Sequence, residues 1–365
     1  MGDVSKTLDP PKSSDKLEDF EKVIPPLLLR ITNYELRINN MTGRRVLFLG
    51  IFVSILLTYA IWVGGSIPAS IIKLPDQGLN WYYWKLPQPT FWSRATAWGM
   101  YIGHQFSIWA CILWAQRSQL KYKSALHPIN YLMLAINGVF IALHFLQTYI
   151  WYDALAQDTS IWTSQGAVVL LLVFVLILET PRRGLFFGNS VPFHQQFLQI
   201  IKLYHGYFFS FAAIYTFWYH PMEATVGHLI GFLYMFLLLL QSSLIFNRAH
   251  VNRWWTFTLE ITVLLHSVIV SLMLGQSKWP TFLFGFLGIL VLTQLHGLPL
   301  GIWTKRTIYA AFLVSVMIVY GLTERGLGRI YEVTYIPLIE FGLVGAIYLI
   351  FLLILWTISR VPIKT

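Results

Sequence analysis

Charge is what this chain has least of. Asp, Glu, Lys and Arg make up 12% of its 365 residues, about half the share found in an ordinary soluble domain. A soluble fold is thereby excluded. Cysteine is nearly absent, and the lone Cys111 rules out an intramolecular disulfide and a thiolate metal cluster within one chain. Neither the HExxH spacing of metalloproteases nor the clustered histidine boxes of di-iron desaturases occur. The Walker loop, the GxGxxG fingerprint and the GxSxG nucleophile elbow are likewise missing, so neither ATP-driven transport by this chain alone nor an α/β-hydrolase fold has support. No repeat of short fixed period is visible, nor paired Gly/Pro-interrupted helices of the inverted-repeat kind.

What the chain does have is apolar sequence, at 56% of residues, with 15 Trp, 19 Tyr and 26 Phe. A spanning helix needs about 20 mainly apolar residues. Ten such runs are present, at 46–66, 94–115, 128–151, 161–180, 197–219, 222–246, 254–275, 279–300, 307–323 and 334–358. The fold class that follows is all-α, a polytopic integral membrane protein of about ten transmembrane helices. The net charge of +10 is spread over short segments between the runs and forms no contiguous basic domain for nucleic acid. Arg44-Arg45, Arg117 with Lys121 and Lys123, Arg182-Arg183, Arg248 with Arg253, Lys305-Arg306, and Arg360 with Lys364 all fall on one side. By the positive-inside rule that side is cytoplasmic, and both termini lie there.

Three domains are expected. Residues 1–42 read as a cytoplasmic tail, opening with Asp9-Pro10-Pro11 and without the apolar core of a signal peptide. Leu27, Ile31, Tyr34, Ile38 and Met41 then recur at helical spacing, as in a helix lying at the membrane interface or docked on the protein's own surface. Residues 43–359 form the membrane domain, and 360–365 a short cytoplasmic end. The long outer connection from Ser66 to Ser93 carries Trp81, Tyr82, Tyr83, Trp84 and Trp92. It reads as an aromatic belt or as a flap over the outer mouth.

Ionisable side chains inside hydrocarbon are costly and face a partner, a bundle interior or a watery cavity. Gln195, Gln199, Lys202 and His205 share one face of the fifth span. Gln199 and Lys202 suit a polar or anionic headgroup, and His205 a proton near neutral pH. Asn130, Asn137 and His144 repeat every seven residues on the third span, where helix fastening is the plainer reading. His104, Ser107 and Cys111 similarly share a face of the second span, where packing explains them. His220 and Glu223 flank Pro221 at an outer turn and read as solvated. His228, His144 and Glu340 sit at similar heights and are expected to meet if their helices adjoin. Glu260 and His266, six residues apart on the seventh span, point about 120° apart and meet different neighbours. Glu260 has no cation near it in sequence, which favours a general acid or proton carrier. Thr293, Gln294 and His296 precede Pro299, which opens the eighth span locally. By depth, His205, Glu260 and His296 are expected to face one inner cavity.

Trp255-Thr256-Phe257-Thr258-Leu259-Glu260 resembles a Trp-to-Glu phrase of the integral membrane acyltransferases. The Arg-to-His pair that family carries near its first span has no counterpart in 46–66, so no family is assigned. The functional expectation is a membrane-embedded enzyme of group transfer acting on a lipid-linked or apolar substrate, in the cell or inner membrane. His205, Glu260 and His266 are its candidate catalytic groups. Gln199, Lys202, Asn137, His144, His228, Gln294, His296 and Glu340 are the candidate substrate contacts. Membrane lipids are the expected partners, no metal is called for, and the cofactor question stays open, with haem between two helices one possibility. A proton-coupled carrier or channel, and a structural or assembly subunit, are the alternatives.

Overall fold

The computed structural model describes residues 42–75, 84–273, 275 and 277–360. The expected interfacial helix before Thr42 lies outside them, as do Trp81, Tyr82 and Tyr83, the side chain of Arg360 and the last five residues. Regular structure among the described residues is entirely helical. We number the helices α1 (Gly43–Gly64), α2 (Ser66–Ala69), α3 (Phe91–Arg117), α4 (Pro128–Ile150), α5 (Ile161–Arg183), α6 (Gln195–Tyr219), α7 (Val226–Ser243), α8 (Arg253–Met273), α9 (Trp279–Leu292), α10 (Ile302–Leu322) and α11 (Tyr335–Arg360). Short 3-10 turns fill Leu155–Gln157, Gln294–Gly297 and Leu327–Thr334.

Helix ends follow local chemistry. Thr90 and Ser93 form a reciprocal capping box at α3, each side chain taking the other's backbone N–H at 3.1 Å. Pro128 occupies the first turn of α4, where its missing N–H costs nothing, and Asn130 accepts the His127 N–H at 2.8 Å. Helix α5 closes at Gly184, whose φ of 72° is readily adopted only by glycine. Helix α9 stops at Leu292, earlier than the expected 300. Pro299 cannot supply an N–H to the preceding turn and forces Leu298 into an extended backbone (φ −94°, ψ 146°). The exposed carbonyl of Leu292 is instead satisfied by the backbone N–H of Phe187 at 2.8 Å.

Helix α6 packs against α3, α5 and α7, while α7 also touches α1, α4 and α8. The second half of the chain adds α9 on α8, and α11 on α5 and α9. Val173, Leu176 and Ile177 of α5 share one buried cluster with Phe197, Ile201, Ile289 and Val344. Helix α1 approaches α7 so closely that a Cβ on Gly50 would stand 2.5 Å from Leu240. Large apolar side chains cover the outward faces, among them Phe48, Phe52 and Trp62 of α1, Leu313 and Met317 of α10, and Leu349 and Leu353 of α11.

Among the described residues, eight helical segments are long and apolar enough to cross a membrane. Helices α3 and α6, at 27 and 25 residues, have the length but not the composition. Main-chain hydrogen bonds gather three basic segments at one end: Gly43 to Ser124, Lys123 to Phe246, and Arg248 to Lys123.

Candidate functional site

Asn130, Asn137 and His144 are all buried, as their seven-residue spacing on α4 requires. The first two are fully engaged. Asn130 donates to the Ser243 and Ile245 carbonyls at 2.8 Å each. Asn137 donates to the Ser243 hydroxyl at 2.8 Å and the Leu239 carbonyl at 3.1 Å, while its oxygen meets Nε2 of His104 at 2.8 Å. Trp218 closes this network by donating to Nδ1 of His104 at 3.2 Å. Asn137 also lines an apolar groove of about 640 Å³ between α1, α4 and α7. Its donors and acceptor are nonetheless spent on fastening helices.

His144 is different. Its ring stacks on Trp218 at 4.4 Å and meets Phe217 edge-on at 4.6 Å. The backbone of His220 is the polar group that faces it, and neither ring nitrogen makes a hydrogen bond of good geometry among the described residues. The side-chain amides of Gln147, one turn further along α4, and of Gln105 on α3 are equally buried and unsatisfied. Each such atom costs about 1–3 kcal/mol unless something polar meets it. Six buried atoms on two packed helices thus call for water or a polar ligand.

Beside His144 the turn between α6 and α7 brings in more imidazoles. His220 and His228 stand edge to face at 5.5 Å. Thr225 holds Nδ1 of His228 at 2.8 Å while also capping α7. His266 of α8 is within electrostatic reach of both. Its Nε2 lies 3.0 Å from where a Cβ on Gly231 would sit, so the ring packs closely against the backbone of α7. Trp84, from the connection that leads into α3, packs edge-on to His228 at 4.4 Å. Burial, and then the neighbouring His266, push His220 down to about 3, so its ring is neutral at physiological pH.

Glu223 corrects the expectation of a solvated turn. Only 3% exposed, it pairs with Lys73 at 2.6 Å and accepts a short hydrogen bond from Tyr152. Met222 and Thr148 bond beside it at 3.2 Å. The result is a largely buried ion pair next to a set of imidazoles, built from α4, α7, α8, the connection after α2 and the turn between α6 and α7. Among the described residues no group of three or more His, Cys, Asp or Glu is placed to hold a metal ion.

The expected inner cavity is not assembled. Glu260 has a cation after all: Arg183 reaches both of its carboxylate oxygens at 2.9 Å, and both residues are buried. Arg183 had the sequence signature of a loop charge, but the last turn of α5 turns it inward. His205 bonds the Lys202 carbonyl of its own helix at 2.7 Å. His296 bonds the Tyr309 hydroxyl at 2.8 Å. No hydrogen bond or ring contact among the described residues joins these three. Gln199 and Lys202 are exposed, and Gln294 sits half-buried in the 3-10 turn. Glu340 stands near Glu260 and Arg183, not with His144 and His228 as expected. Glu260 and His266 do meet different neighbours, α5 and α7, as their angular separation requires.

Eight apolar segments, lipid-ready outer faces and a polar interior define a multi-pass α-helical membrane protein. No protein-family model matches the chain, and no curated protein or solved structure is significantly similar to it.

Proposed function

We propose that the chain is a membrane-embedded group-transfer enzyme working at the outer histidine cluster on a lipid-linked or apolar substrate. The observation that carries this reading is His144, buried without a hydrogen bond of good geometry on either ring nitrogen beside His220, which in turn adjoins His228 and His266. In this scheme His266 takes the proton from an acceptor hydroxyl as its oxygen bonds to the transferred group. The donor's leaving group departs with the electron pair of the broken bond and receives that proton from His266, while Thr225 fixes the ring of His228 beside it. His144 and Gln147 hold the polar head, and Trp84, Phe217 and Trp218 wall the apolar part. The remaining expected residues do not converge here, which leaves Glu260 out of the chemistry.

The same reading takes all ten long helices as spans, with both termini cytoplasmic. In its favour, α3 and α6 are packed among helices that qualify by composition, and basic segments from three different connections meet at one end. A second reading, a proton-coupled carrier, is favoured by the placement of His266 and Glu260 on one helix.

Lipid extracts from cells carrying wild type, His266→Ala or His144→Phe decide between them by mass spectrometry. The enzyme reading expects both variants to be made and folded while one lipid product falls at least tenfold and its precursor accumulates. Unchanged lipids, together with a lost proton flux in proteoliposomes, would replace the enzyme by the carrier. Unchanged lipids and no flux in any form would leave only a structural role.

A further inference from the structure

We propose that an anionic phospholipid binds at the basic end of the bundle, with one acyl chain in the groove between α1, α4 and α7 and its headgroup on the cationic rim that the same three helices carry. This site is separate from the histidine cluster and does not rest on the enzyme reading. Helices α1 and α4 both lean on α7. Between them the groove of about 640 Å³ is kept open by small residues, among them Gly50, Gly138 and Ala142. Val53 and Leu146 line it and are exposed, so it opens toward the surrounding lipid.

The groove takes hydrocarbon. Its polar side chains are already used: the Ser54 hydroxyl donates to the Gly50 carbonyl at 2.8 Å, the Ser243 hydroxyl to the Leu239 carbonyl at 2.9 Å, and Asn137 is spent on fastening helices. A polar occupant would give up its own hydrogen bonds on entering. Along α1 the lining runs from Gly50 to Ala60, about 15 Å at 1.5 Å per residue. That is half of a hydrocarbon core about 30 Å thick, the depth of a single leaflet. A chain filling the groove therefore carries its headgroup at one end of it.

Charge selects the end. Arg44 and Arg45 open α1, Lys121 and Lys123 lie in the segment entering α4, and Arg248 follows α7; all five are exposed and make no ion pair among the described residues. No Asp or Glu occurs in 42–56, 116–136 or 241–259. Main-chain bonds fix the rim: Gly43 donates to Ser124 at 2.8 Å, Lys123 to Phe246 at 3.2 Å and Arg248 to Lys123 at 3.0 Å. Asn247 adds side-chain bonds to the Ser124 and Ala125 carbonyls at 3.2 and 2.9 Å, and a Cβ on Gly43 would stand 1.9 Å from its Oδ1. Arg45 precedes Gly50 by five residues, about 8 Å along the axis, close to the thickness of one headgroup layer. An amphiphile with a phosphate above one leaflet-deep chain matches both parts. A soluble anion would leave the groove empty, and a zwitterionic lipid would leave the rim's charge unbalanced.

The test is native mass spectrometry of the full-length protein, delipidated in detergent and titrated with dioleoyl phosphatidylserine or dioleoyl phosphatidylcholine. One phosphatidylserine adduct should form at least about tenfold more tightly than the phosphatidylcholine adduct. Lys123→Gln with Arg248→Gln should remove that preference. Gly138→Leu should weaken the adduct at least about tenfold, because a Cβ there meets no protein atom within 4 Å and the longer side chain fills the groove while favouring the helix. Thermal unfolding of each variant checks that it is folded. Equal binding of the two lipids, or an adduct untouched by either variant, would overturn the proposal. Binding of glycerophosphoserine as tight as that of the lipid would replace it by a soluble-anion site. A protein dimer that Gly138→Leu dissolves, with no lipid adduct, would assign the groove to a second copy of the chain instead.

Discussion

The two halves of α4 follow opposite rules. Asn130 and Asn137 spend every side-chain polar atom on α3, the end of α7 and the cap of their own helix, whereas His144 and Gln147, further along, make no side-chain hydrogen bond of good geometry among the described residues. Spacing and burial are the same, so the difference lies in what the neighbours offer. Near Asn137 helix α7 presents serine hydroxyls and loosened carbonyls at its end. Near His144 the neighbours are the ring faces of Phe217, Trp218 and Phe232, which can pack but not accept a strong hydrogen bond. One half of the helix is joinery. The other is an unfilled polar site.

Three measurements probe that contrast, from the largest effect to the smallest. Asn137→Ala should lower the unfolding free energy in bicelles by about 1–3 kcal/mol, because it strands the buried Nε2 of His104 and cuts the bonds to Leu239 and Ser243 that tie α4 to α7. A change under about 0.5 kcal/mol would make the inner half as unpaired as the outer. The pH dependence of stability comes next. With its folded value near 3 and an unfolded value of about 6.5, His220 binds its proton more readily in the unfolded chain. Its contribution is fully present above about 6.5 and is lost as pH falls from there toward 3, at up to about 1.4 kcal/mol per pH unit. His220→Gln should flatten that slope in pH-stepped unfolding. Last, His144→Phe should change stability by less than about 1 kcal/mol, since the ring packing survives and two unmatched nitrogens vanish. A large loss would show that His144 is joinery too.

Much of the fold was legible in the sequence, because a helix that crosses lipid must be apolar for its whole length. Each of the ten apolar runs coincides with a helix, and eight helical segments among the described residues are long and apolar enough to cross a membrane; α9 falls furthest short, ending before the 3-10 turn that leads to Pro299. Inward-facing positions on α4 were equally readable from their spacing. The partners were not. Arg183 looked like one more basic residue after a span, and nothing in sequence tells that Pro181 and Gly184 end α5 with that guanidinium against Glu260. Glu223 and Lys73 lie 150 positions apart, so their pairing could be seen only in three dimensions. His104 sat in an apolar run where plain packing was the simpler explanation, and Gln105 and Gln147 carried no spacing signal that would single them out. Depth along a helix, the one coordinate sequence does supply, put His205, Glu260 and His296 at one level but could not say which way each faced.

Helix α8 carries His266 and Glu260 six residues apart, about 9 Å along its axis. Between them runs one unbroken ladder of backbone bonds. Such a rod behaves as a shaft: a small twist or slide imposed at the Arg183 end must arrive at the imidazoles, and the reverse. Neither location can be retuned in private, and a substitution at one deserves an assay at the other.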